Sequence, residues 1–257
     1  MSNFIDFEFD ELKYMKKKPE KLFYKGNLEL LKKPKISIVG TRKPNSYTKQ
    51  FTHILASRLS NLGICIVSGA AMGVDAIAHN GAGEYNTIAV VANGLDIKYP
   101  KVNSSLISKI EKNGLLLSQF EDGYKARVYS FVQRNELVVS LGNSLIVTQA
   151  DLDSGSLHSV NFALKQNKKV YVLAHRCGES LGTNNLLKTN QAEAIYDIDD
   201  FLMKFEKNNK EEISDDFLEY CKNSPSYEEA LKKFSTQLFE YELSGKIKIN
   251  NGFVQLI

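Results

Sequence analysis

From Lys35 onward, short apolar runs alternate with stretches whose apolar residues recur every three or four positions. The runs at 35–39, 64–67, 87–91, 115–117, 144–147 and 169–173 predict strands. Helical spacing predicts helices over 46–62, 75–83, 103–113 and 131–141, and one ending at Lys165. In the first of these Phe51, Ile54, Leu55, Leu59 and Leu62 share a face, and Ser46 can cap it. Apolar strands alternating with amphipathic helices predict the α/β class, a mostly parallel sheet with helices on both faces. Ligands of such sheets bind at the carboxyl ends of the strands. The polar and glycine-rich clusters of this chain all fall there.

The flanks have a different pattern. Residues 1–34 are Lys-rich with scattered aromatics (Phe4, Phe7, Phe9, Phe23, Tyr24), an extension expected to pack those aromatics on the main domain. Its Lys16-Lys17-Lys18 run reads as a solvated face. Beyond Phe205 a polar linker, 206–212, precedes three short helices at 214–221, 226–233 and 235–243. Asn251-Gly252 between two alternating runs predicts a terminal hairpin. Three helices and a hairpin make a winged-helix-like module. The expected domains are thus 1–34, 35–205 and 206–257.

Composition changes this picture little. The 257 residues are 43% hydrophobic and 25% charged, enough to bury a real core. No apolar run approaches a membrane span, and the N-terminus lacks a signal-peptide pattern, so cytoplasm is the expected compartment. The three cysteines are isolated, and Cys65, inside a strand, reads as a reduced core residue. A net charge of +3 does not by itself single out a nucleic-acid binder. Residues 207–257 are mildly acidic, with 7 Lys against 9 acidic residues.

Four clusters could carry chemistry. Gly40-Thr41-Arg42 puts a cation at a strand-to-helix turn, where it can pair with phosphate or stand as an ordinary surface arginine. Ser68-Gly69-Ala70-Ala71-Met72-Gly73 allows backbone N–H groups to approach an anion, or simply lets helix pack on sheet. Asp75 and His79 just beyond it read as local hydrogen-bonding residues. Phe131-Val132-Gln133-Arg134-Asn135 opens a helix with an aromatic, a cation and an amide, which suits single-stranded nucleic acid, although Phe131 could be plain core. Ser154-Gly155-Ser156 can donate to phosphate or cap a helix. None of these matches a dinucleotide fingerprint or a P-loop. No His/Cys/carboxylate set has metal-ligand spacing, and no cofactor is expected.

In order along the chain, GTR (40–42), SGAAMGVDAIAH (68–79), TIAVVANGLDIKYP (87–100), GLLLSQF (114–120), SFVQRNELVVSLGNSLIVTQA (130–150), SGSLHSVNFAL (154–164) and GTNNLL (182–187) resemble the DprA/Smf family of DNA-processing proteins. The resemblance covers about 35–200. It implies a Rossmann-like domain that binds single-stranded DNA, loads the recombinase RecA onto it during natural transformation, forms homodimers and catalyses no reaction. Carried over by position, the DNA site would comprise Arg42, Ser68, Gly69, Phe131, Arg134, Asn135, Ser154, Gly155 and Ser156. The chain departs from the family at Glu136, where an arginine is common, and at Gln119 and Gln149, where Glu is common. Lys125 and Arg127 are expected to make up the missing positive charge. A rival reading is a nucleotide-hydrolysing enzyme of phosphoribohydrolase type, for which Glu136 is the one acid on offer and the Pro-Gly-Gly turn is missing. The third helix of the C-terminal module has two acids and no Lys or Arg, which predicts a protein-interaction or structural role for it.

Overall fold

A computed structural model describes residues 2–6, 10–16, 18–212, 216–221, 223–243, 245–250 and 252–256. Phe7, Phe9, Lys17, Ser214 and Asn251 lie outside the described residues. The chain divides into two compact units, Met1–Leu202 and Met203–Ile257.

The six predicted strands form, within a residue of their expected ends. They are β3 (Lys35–Val39), β4 (Cys65–Ser68), β5 (Thr87–Val91), β6 (Leu115–Ser118), β7 (Ser144–Val147) and β8 (Val170–Leu173). All pair in parallel, and every residue in them is buried. That is why their sequences run apolar instead of alternating. Three short strands extend the sheet beyond the prediction. β1 (Asn3–Ile5) and β2 (Leu22–Gly26) come from the N-terminal segment, and β9 (Glu193–Ile195) follows the glycine-containing helix at 181–188. The segment 1–34 therefore does more than lay aromatics on the surface: β2 pairs antiparallel with β6. The full order is β1-β2-β6-β5-β4-β3-β7-β8-β9.

Helices α1 (Ser46–Asn61), α2 (Val74–Ala82) and α3 (Ser104–Asn113) pack together on one face. Helices α4 (Val128–Leu141) and α5 (Gly155–Lys165) pack together on the other. The main core lies under α4 and α5, where Leu137, Leu141, Val160 and Ala163 meet Val67, Val90, Val147 and Val172. A second cluster joins Ile107 and Ile110 of α3 to Ala89, Val91 and Leu116. α6 (Leu181–Lys188) and α7 (Ile198–Glu212) complete the run, so the backbone of 206–212, expected as a linker, is helical. The cap of α1 is Asn45, not Ser46: its side chain accepts from the Thr48 N–H.

Strand order reverses direction between β3 and β7, whose following helices α1 and α5 leave to opposite faces. In a doubly wound sheet that divergence opens a crevice beyond the strand ends, the usual place for a ligand.

Within 203–257, α8 (Asp216–Cys221) and α9 (Tyr227–Leu243) precede an antiparallel hairpin of β10 (Ile247–Asn250) and β11 (Phe253–Leu256). Phe234 breaks helical geometry inside α9 (φ −139°, ψ 43°), at the boundary expected between the second and third helices. Phe217, Cys221, Ala230, Leu238, Ile247 and Val254 form this unit's own core.

Candidate functional site

The crevice between β3 and β7 is an open cleft of about 800 Å3. The turn after β3 supplies Gly40 to Lys43, α4 supplies Phe131, Arg134 and Asn135, and the turn after β7 supplies Gln149 and Ser154–Ser156. Three of the four sequence clusters thus meet in one place. The fourth reaches the cleft through Ala71, and around Gly69 it opens on a smaller recess that shares Arg42, Ala71, Phe131 and Arg134 with the cleft.

The turn carrying Arg42 is clamped from both sides. Thr41 N–H donates to the Gln149 carbonyl (2.9 Å), and Val74 N–H donates to the Thr41 carbonyl (3.1 Å). Gly73, in the left-handed region at φ +78°, lies so close that a Cβ there would strike the Thr41 and Arg42 carbonyls. This fixed backbone leaves the exposed Arg42 side chain to face the cleft. Its guanidinium carbon lies 5.7 Å from the centroid of the half-buried Phe131 ring, within cation–π range. Tyr99 approaches the same ring at 6.2 Å. The ring is held on several sides, so stacking against it costs little further ordering.

Arg134 is the largest departure from expectation. It is only 5% exposed, and its guanidinium donates to the Gly69 carbonyl and to the Val90 carbonyl (3.1 Å) while Nε donates to Asn135 Oδ1 (3.0 Å). A Cβ on Gly69 would collide with that guanidinium. Beneath it sits Asp75, whose carboxyl is pushed up by burial and drawn back down by Arg134 and the Ala71 N–H. Arg134 therefore holds the turn after β4 against the end of β5. Ser68 is corrected in the same way: it is fully buried and its hydroxyl donates to the Ile38 carbonyl (2.7 Å), so it ties strands together and faces no cleft.

His79 lies deeper in this network. Thr87 Oγ1 donates to the Ile66 carbonyl, so at 2.7 Å His79 Nδ1 must be the donor to Thr87, and Nε2 is a bare acceptor with no partner among the described residues. Burial and the Arg134 charge push the imidazole down to about 3. It is a neutral structural residue.

Ser154 caps α5 by accepting from the Ser156 N–H (3.2 Å), and Ser156 is buried behind it. A side chain on Gly155 would meet no protein atom, so the helix entrance stays open to the cleft. Lys125 and Arg127 are exposed on the segment leading into α4, beside the cleft wall at Val128, and do not line the cleft. Glu136, expected to remove charge from the site, points elsewhere. It is buried, accepts from the Lys16 N–H (2.7 Å) and lines a separate groove under the N-terminal segment. It neither weakens the cleft nor supplies it with an acid. Sequence reading missed Lys43, Tyr99 and Asp151 as cleft or recess residues, although Lys43 adjoins the GTR motif and Tyr99 lies inside a quoted motif. Among the described residues no group of three His, Cys, Asp or Glu is placed to hold a metal, and no helix is long and apolar enough to cross a membrane.

Fold and crevice together define a Rossmann-like α/β protein whose open cleft, at the strand-order reversal, presents a cation over an aromatic ring. The chain belongs to the DNA recombination-mediator protein A family, whose model matches residues 6–206. It is 35% identical to DNA processing protein DprA of Streptococcus pneumoniae over 192 residues, 73% of this chain and 67% of that one. It is also 35% identical to protein Smf of Synechocystis over 185 residues, 69% of this chain and 46% of that relative. Among solved structures, DNA processing protein A of Helicobacter pylori, described for its single-stranded DNA binding mode, aligns with a TM-score of 0.78 and 40% identity. That alignment covers 80% of this chain and 96% of that one. The Streptococcus pneumoniae DprA structure aligns with a TM-score of 0.72 and 33% identity, over 77% and 71% of the two chains.

Proposed function

We propose that this protein binds single-stranded DNA in the β3/β7 cleft and acts as a non-catalytic recombination mediator, protecting incoming DNA and loading RecA during natural transformation. The observation that carries this reading is Arg42 poised 5.7 Å from the Phe131 ring on a rigid turn. A base stacks on Phe131, a phosphate pairs with Arg42, and Asn135, the Ser154 hydroxyl and the Gly155 N–H take the neighbouring oxygens. Gly69 contributes backbone that Arg134 holds in position. The single-stranded DNA binding of the Helicobacter pylori relative and the family's recombination-mediator name support it. The protein works in the cytoplasm as a homodimer. Its 203–257 unit is a winged-helix-like module that contacts protein, because the stretch 235–243 carries two Glu and no Lys or Arg.

A gel shift with single- and double-stranded oligonucleotides tests the reading. The wild type should prefer the single strand. Phe131→Ala should weaken that complex by about 1–3 kcal/mol, the worth of one stacked base. Equal affinity of the variant for single strands would refute the stacking site, and release of base or phosphate from a nucleotide would refute the non-catalytic role.

A further inference from the structure

We propose that bound single-stranded DNA runs past Arg42 into a second subsite, where a base stacks on Tyr47 and a phosphate pairs with Arg176. This rests on the single-stranded DNA reading of the central cleft and extends it by naming where the strand goes next.

The carboxyl edge of the sheet carries three concavities in a row. The Phe131–Tyr99 recess lies beyond β4 and β5, the main cleft beyond β3 and β7, and a cavity of about 520 Å3 beyond β8. Asn45, Ser46 and Tyr47 at the start of α1 form one wall of that third cavity, and Ala174, His175 and Arg176 after β8 form the other. It shares a boundary with the main cleft, because the side chain of Gln149, a cleft residue, accepts from the Asn45 N–H (3.0 Å). From β5 to β8 is four strand steps, about 19 Å at roughly 4.8 Å per step. Each strand of B-DNA sets a phosphate at about every 3.4 Å of helix axis, and an extended single strand spaces them more widely, so covering that edge takes several nucleotides.

The third cavity repeats the chemistry of the first. Tyr47 is 38% exposed, yet its ring is tilted on Phe51 at 4.7 Å and meets the His175 ring edge-on at 5.4 Å. His175 is itself pinned, with Nε2 2.7 Å from the Thr148 carbonyl. Tyr47 is thus an aromatic surface already ordered before a base arrives, as Phe131 is. Arg176 is exposed, and among the described residues its guanidinium makes no ion pair, while its carbonyl is held by the Glu179 N–H and Asn184 Nδ2. The Glu179 carboxylate on the same rim opposes a phosphate, which gives the subsite a sign that can be tested.

The test uses the full chain and competition anisotropy with thymidine oligonucleotides of three and twelve nucleotides. Tyr47→Ala and Arg176→Ala should weaken the twelve-nucleotide complex about five-fold or more, the lower end of one stacked base, and leave the trinucleotide unchanged. Glu179→Gln should tighten the longer complex. Both residues are exposed, and unchanged thermal unfolding confirms that the variants are folded. Wild-type affinity of Tyr47→Ala and Arg176→Ala for the longer oligonucleotide, with Arg42→Ala and Phe131→Ala impaired, would overturn the second subsite and leave the central cleft standing. If Arg42→Ala and Phe131→Ala also bind normally, both readings fall. A changed sedimentation coefficient in Tyr47→Ala, with DNA affinity intact, would assign this face to contact between copies of the chain.

Discussion

Arg42 and Arg134 approach the same Phe131 ring at 5.7 and 5.9 Å, from opposite sides of a boundary between surface and interior. Arg42 stands exposed on a turn whose backbone is locked by β7 and α2, so its charge remains for a ligand. Arg134 is buried, spends its donors on the Gly69 and Val90 carbonyls, and has Asp75 for a counter-charge. Residue type and proximity to the cleft are the same. Solvation and hydrogen-bond commitment separate a binding group from a positioning group. The cleft has a rigid floor made of buried charge and an open wall made of exposed charge.

Removing the floor should cost the most. Arg134→Met takes the donors away from the Gly69 and Val90 carbonyls and removes the charge facing the buried Asp75, and each buried acceptor left unsatisfied costs about 1–3 kcal/mol. Denaturant unfolding should show that loss, and adding Asp75→Asn should recover part of it, while Arg42→Ala unfolds like wild type. Equal stability of the two arginine variants would erase the distinction between floor and wall.

The pH dependence sharpens it next. His79 is held down to about 3 in the folded protein, against about 6.5 unfolded. Between those values the unfolded chain binds the extra proton. The stabilisation is therefore complete above pH 6.5 and is lost as pH falls toward 3, at roughly 1.4 kcal/mol per pH unit. NMR titration should find the His79 ring neutral at pH 5, and the unfolding free energy should fall with that added slope. A ring that protonates near pH 6.5 would contradict the sealed floor.

Gly69→Ala is a smaller blow to the same region. Its methyl must displace the Arg134 guanidinium, an overpacking cost of about 1–3 kcal/mol. Gly155→Ala, whose methyl meets only open space, should leave the fold intact. Thermal unfolding of the pair checks the contrast.

Much of the scaffold could be read before any coordinates. Strands buried on both faces are continuous apolar runs, and β3 to β8 announce themselves that way. β1, β2 and β9 escaped because they have no such run: only Ile5 of β1, Leu22 and Phe23 of β2 and Ile195 of β9 are buried. α4 begins at Val128, three residues before the expected start, because Val128 and Tyr129 are exposed and give no periodic signal. At the site, Arg42 was legible from its turn, and Phe131 from the aromatic–cation pattern that opens a helix. The burial of Arg134 and Ser68 was not, since it depends on carbonyls of Gly69, Val90 and Ile38 that lie 30 to 65 residues away in sequence. Tyr99 joined Phe131 for the same reason: adjacency across the sheet edge leaves no mark on local spacing.

The most direct test of the central claim is the salt dependence of single-stranded DNA affinity for wild type and Arg42→Ala. If Arg42 neutralises a phosphate from the open wall, the variant should bind every sequence more weakly. Its plot of log K against log salt should then be shallower by about 0.7, one phosphate's share. An unchanged affinity and slope would place the DNA somewhere other than this cleft.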